Sequence, residues 1–187
     1  AHDGFLSNAA VKLLFPAEAQ KAEKSLRALG LNKACDDFIL SLNRAAELAV
    51  IEAKPIFISA IKQMNLEDAS SILLCKEPDA ATKYFQQITS GNLRSAFRPI
   101  IETALSKKDV PRHWTELSTR YNQIPLVTKV NTDISSYATQ KAMEGLFYEI
   151  AKEELKMRQN SDLRNSPLLK KVFGYADNQK KGTITIN

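Results

Sequence analysis

Asn43, Arg44 and Glu47 fall within one turn of a helical pattern, and they are the first residues whose types and spacing suggest chemistry. Arg44 and Glu47 can pair at three residues' spacing, and Asn43 can reach Glu47 at four. One reading is a polar patch that lines a cleft, with Arg44 as an anion anchor. The other, preferred, is a clamp between helices, because buried charges are normally paired for structure. Lys54 on the same stretch and His113, flanked by Arg112 and Trp114, complete the candidate ligand-binding set. A positive neighbour and an aromatic ring suit a histidine that binds an anion. A surface histidine near a helix start is the plainer alternative.

Two further groupings carry carboxylates. Asp79, Thr82 and Lys83 crowd a helix start and read as capping and dipole matching. Glu149, Glu153 and Glu154 share a helix, but no histidine stands at the spacing of a di-metal signature, and Lys152 and Lys156 offer ion pairs instead. No metal or cofactor is expected. The chain has no glycine-rich phosphate loop, no zinc ligand set and no Gly-x-Ser-x-Gly elbow. A site assembled from distant residues stays open.

The elements that must position these groups are helices. Cys35, Ile39, Leu42, Ala46, Ala49, Ala53, Ile56 and Ala60 recur at alternating spacings of four and three, and Phe38, Ala45, Phe57, Ile61 and Met64 widen the stripe. This predicts one long helix from Asn32 to Met64 on which the rest leans, with an alanine waist and a kink at Pro55. Helices are also predicted over 17–29, ended by Gly30, and from an Asn65 cap to about residue 76. Two more are expected from Pro78 to Ile88 and from Thr89 or Ser90 through Leu105, the latter kinked at Pro99. The pattern continues with 109–121, with 133–159 carrying Gly145 at a close crossing with the waist, and with a short helix from Pro167 stopped by Gly174. Lys152 to Arg158 reads as projecting into solvent. Residues 175–187 read as a flexible tail, with strand-like alternation at Thr183 to Ile186. The expected fold is an all-α, single-domain multi-helix bundle with a long proline-kinked central helix.

Composition sets the function classes. At 187 residues, with 44% hydrophobic and 25% charged residues, the chain has an ordinary globular balance. No run reaches the roughly 18 apolar residues of a membrane span. The net charge of +5 is concentrated beyond Asn160, where five bases face two acids. No aromatic-basic stacking pattern accompanies them, which disfavours nucleic acid as a partner. Cys35 and Cys75 both fall on apolar faces and read as buried thiols, with a bridge left open.

Several words of the sequence resemble one family. They are Asp3-Gly4-Phe5, Asn43 to Glu47, Ala53 to Phe57, Ala60 to Met64, Asp79 to Phe85, Lys141 to Phe147 and Leu168 to Gly174. Together, and in this order, they resemble the bacterial family catalogued as domain of unknown function 4197. Asn8 is followed by Ala9 where the family pattern has proline, and Val11 to Pro16 replaces its basic, proline-rich segment. The resemblance implies an exported, periplasmic or envelope-associated protein whose leader has been removed, in keeping with a start at Ala1 rather than methionine. Membrane attachment would come only through a lipid anchor on that leader. It implies no catalytic residue.

The leading expectation is a non-catalytic protein that binds a small apolar or anionic ligand, or a protein partner, through a helix-lined cleft beside Pro55. A hydrolase built from Arg44, Glu47 and His113 would instead require those groups to converge in one pocket. A third expectation is nucleic-acid or anionic-membrane binding through the basic C-terminal arm.

Overall fold

The computed structural model describes residues 3–123, 125–126 and 129–182, and among these the chain is α-helical with no β-strand. The expected alternation at Thr183 to Ile186 lies outside the described residues. The helices are α1 (Gln20–Ala28), α2 (Asn32–Ala49), α3 (Ala53–Gln63), α4 (Leu66–Leu74), α5 (Ala80–Ser106), α6 (Val110–Asn122), α7 (Ile134–Gln159) and α8 (Pro167–Gly182). Single 3₁₀ turns sit at Ala17–Ala19, Val50–Glu52 and Ser161–Leu163. Two compact units form, one from Ala1–Lys54 with Gly91–Leu146, the other from Pro55–Ser90 with Phe147–Asn187.

Local chemistry explains most boundaries. Gly30 adopts φ +85° and its N–H donates to the Arg27 carbonyl, which ends α1. The side chain of Asn65 accepts from the Asp68 N–H at the start of α4, and Asp133 accepts from the Ser136 N–H at the start of α7. Asn32 does not cap α2. Leu31 holds that position without a side-chain bond, and Asn32 is the first helical residue.

The single helix expected over 32–64 is divided. α2 gives way to the 3₁₀ turn at Val50–Glu52 before α3 begins. Pro55 has no N–H to offer the Ile51 carbonyl, so one rung of the α-helical ladder is missing at this junction. A 3₁₀ turn winds at 3.0 residues per turn against 3.6, so three such residues change the facing of later side chains by roughly 60°. The stripe is therefore buried from Cys35 to Ala53, whereas Ile61, expected in the core, is 54% exposed.

α5 is also different from its expected form. Thr89, Ser90 and Gly91 do not start a new helix. The hydroxyls of Thr89 and Ser90 bond back to the carbonyls of Phe85 and Gln86, so the turn formers are satisfied inside the helix. Pro99 lies within α5, on its exposed side.

The core of the first unit contains Leu42, Ala45, Ala46 and Ala49 of α2, Leu93, Phe97, Ile101 and Leu105 of α5, and Ile134, Ala138 and Ala142 of α7. In the second unit Phe57 meets Phe85 and Phe147 edge-on, with ring centroids 5.9 and 6.0 Å apart. Lys152 to Arg158 is solvated on one side only: Lys152, Glu153 and Lys156 are exposed, whereas Glu154 and Arg158 are inward members, each with side chains 10% exposed. Glu154 accepts from the N–H groups of Ala81 and Thr82 and from the Thr82 hydroxyl, closing the first turn of α5. Arg158 pairs with Glu154 and donates to the carbonyls of Ile72 and Cys75.

Gly174 does not stop the last helix. α8 continues to Gly182, buries Ala176, and presents Asp177 to the buried Arg164.

Candidate functional site

The sequence before α1 has too few periodic residues to form a helix, yet Phe5, Val11, Leu13 and Phe15 are buried. Residues 3–15 form a strap fastened to the first unit by side chains of α2 and α7. Asn43 is fully buried. Its Oδ1 accepts from the Leu13 N–H at 2.9 Å, and its Nδ2 donates to the carbonyls of Leu13 and Ile39 at 2.8 and 2.7 Å. Glu47 Oε1 accepts from the N–H groups of Phe5 and Leu6, and its Oε2 accepts from Arg44, which also pairs with Asp3. Tyr137 of α7 donates its hydroxyl to the Leu14 carbonyl at 3.0 Å.

Burial alone would raise the Glu47 carboxyl. The Arg44 guanidinium and the two strap N–H groups outweigh it and hold the group below its ordinary value. The trio singled out from the sequence thus bonds the non-helical strap, where a clamp between helices was expected. Gly145 marks a close approach, and the nearest atoms there belong to the strap. A Cβ there would stand 2.5 Å from the Phe5 ring and 3.2 Å from Val11.

By tying down Leu13, the clamp sets Phe15 in place. Phe15 lies against Phe38 of α2 with ring centroids 4.4 Å apart, and Phe38 stacks on Trp114 of α6 at 5.5 Å and 22°. Such pairs contribute roughly 0.5–1.5 kcal/mol beyond area burial. The indole N–H donates to the Asn131 carbonyl at 2.9 Å, fixing the ring's orientation. The three aromatics form one wall of a pocket of about 610 Å³ within the first unit. Leu26, Leu31, Val110 and Leu117 supply further apolar lining, and Cys35 presents a buried thiol. Burial raises that thiol above its ordinary value.

The mouth is charged. Lys33, Asp37, Lys108 and His113 line it, and all four are exposed. Lys33 bonds Asp37 at 2.7 Å. That hydrogen bond, with a smaller contribution from Lys108, holds the Asp37 carboxyl below its ordinary value despite burial.

Of the five residues proposed from sequence, only His113 reaches this pocket. Asn43, Arg44, Glu47 and Lys54 are not in its lining, and neither is Pro55. Lys54 is exposed, at the second residue of α3. Arg44 and Glu47 do not join His113 in the lining of this pocket, as the hydrolase reading required them to. Phe15, Phe38, Lys33, Lys108 and Trp114 were missed as site residues. The one sequence signal for them was the pairing of His113 with the chain's sole tryptophan. Among the described residues no group of three or more His, Cys, Asp or Glu side chains is placed to hold a metal ion, and no helix is long and apolar enough to cross a membrane.

The family model described as "Protein of unknown function (DUF4197)" matches residues 1–174. No curated protein and no solved structure matches the chain.

Proposed function

We propose, for a chain that belongs to the DUF4197 family of proteins of unknown function, that it is a non-catalytic binding protein which takes a small apolar ligand into the Phe15–Phe38–Trp114 pocket. The observation that carries this reading is the pocket itself. Its volume of about 610 Å³ lies within the roughly 300–1,000 Å³ of sites that enclose small molecules, and its walls are mostly apolar. Aromatic faces give large contact area with few torsions to freeze.

The clamp on the strap supports the same reading. It preorganises one wall of the pocket before any ligand arrives, which lowers the ordering cost of binding. Export to the periplasm or envelope is part of the proposal on family resemblance alone, and fractionation of the producing cell tests it.

Trp114 is the only tryptophan and lies in the wall, so its fluorescence reports occupancy directly. Titration with neutral n-alkanols of increasing length is the test. Each added methylene that leaves water is worth about 0.8 kcal/mol, or roughly a fourfold gain in affinity. The expected result is a saturable emission change whose dissociation constant falls by that factor until the pocket is full. A linear, length-independent response would refute the proposal.

A further inference from the structure

Building on the apolar-pocket reading, we propose that the pocket selects amphipathic molecules with a single anionic head group, received at the mouth by the ammonium of Lys108. The ligand class is an alkyl or aryl chain that ends in a carboxylate or a similar monoanion.

The charges at the mouth decide the sign. Lys33 and Lys108 stand against one carboxylate, Asp37, so the lysines outnumber the acid by one. Asp37 is already engaged by Lys33 at 2.7 Å. Among the described residues no hydrogen bond or ion pair holds the Lys108 ammonium. An ammonium that feels Asp37 only at a distance, beside an apolar wall, meets an anion without first breaking an ion pair. A cationic head group would meet only a carboxylate whose charge is offset.

The backbone places that ammonium. Lys108 lies in the short link between α5 and α6, where its N–H donates to the Leu105 carbonyl and that of Asp109 to the Ser106 carbonyl. Asp109 turns the chain through φ 52°, and its carbonyl accepts from the His113 N–H in the first turn of α6. The Lys108 backbone is therefore fixed at the rim, while its four-carbon stem retains freedom to follow a head group.

The test uses the full chain and Trp114 emission, with dodecanoate, dodecanol and dodecylamine as probes, in low and high salt. Dodecanoate is expected to bind about tenfold tighter than dodecanol at low salt, with dodecylamine weaker than dodecanol. Added salt should erode only the carboxylate's advantage. Lys108→Met, at an exposed position, should bring dodecanoate and dodecanol within about twofold of each other. Lys108→Glu should place dodecylamine ahead of dodecanoate.

Equal binding of dodecanoate and dodecanol to the wild-type chain would overturn the head-group proposal and leave the pocket reading standing. So would a carboxylate preference that survives Lys108→Met. Failure of all three probes to change the emission would overturn the pocket reading and this proposal with it.

Discussion

Replacing Asn43 tests the strap clamp and, through it, the pocket wall. Asn43→Ala removes both side-chain partners of Leu13, a residue only 1% exposed. The Leu13 N–H and carbonyl are then buried without partners, at about 1–3 kcal/mol each. The Ile39 carbonyl is left to its place in the helix, so the expected loss is about 4 kcal/mol. With a denaturant slope of about 2 kcal/mol/M, the urea midpoint falls by about 2 M. Trp114 emission is the right probe, since its ring neighbours Phe15, two residues beyond Leu13. Asn43→Asp keeps the acceptor for the Leu13 N–H but turns a carboxylate toward two carbonyl oxygens. Burial and those oxygens raise its folded-state pKa above the unfolded value of about 3.9. A raised folded pKa means the folded state holds the proton longer. The variant should then lie closest to wild type below about pH 4 and lose ground as pH rises toward 7. A loss under 1 kcal/mol for Asn43→Ala, or a pH-independent gap for Asn43→Asp, would refute the clamp.

Other substitutions probe the neighbouring features. Gly145→Ala gains about 1 kcal/mol of helix propensity but drives a methyl into the Phe5 ring, an overpacking cost of about 1–3 kcal/mol. Urea melts should show a net loss that turns into a gain in a Phe5→Ala background. Glu47 and Glu154 both have depressed pKa values; for Glu154, burial pushes upward but is outweighed by the Thr82 and Ala81 bonds and Arg158. Their contribution is in place above the ordinary carboxylate range and fades as pH falls through the folded values, so Glu47→Gln and Glu154→Gln should each flatten the acid limb of a stability–pH curve. Tyr137 is raised to about 12, first by burial and then by Glu144 and Glu18. Ultraviolet titration of wild type against Tyr137→Phe should assign the last phenol to ionise to this residue. Arg164→Lys keeps the charge but gives up the fork to Asp177 and the Met157 and Arg158 carbonyls, and the stacking on Phe173. A loss of about 2 kcal/mol and faster proteolysis within residues 165–182 are expected.

What could be read from the sequence was local. Gly30, Asn65 and Asp133 announce helix ends because a cap is a matter of a few consecutive residues. Cys35 to Ala53 announces a buried face because helical period alone assigns it. The features that escaped are those whose partners lie far along the chain. Glu154 looked like a solvated carboxylate because Thr82, its partner, is 72 residues away. Phe15, Phe38 and Trp114 carry no shared spacing, and only the folded chain makes them one wall. The polar trio on α2 was visible, but its use was not: a segment without periodicity gives no sign that it will be strapped down. Thr89-Ser90-Gly91 misled for the opposite reason, since residues that favour turns were satisfied within the helix.

The distribution of sulfur has a practical consequence. Cys35 lies in the first unit, shielded in the pocket wall, and Cys75 lies half-buried in the second. An unmodified chain therefore carries one native chemical clock for each unit. Pulses of a thiol-alkylating reagent, read by peptide mass, would time the opening of each part separately, and the slowing of the Cys35 clock by an added guest would measure how firmly that guest keeps its chamber shut.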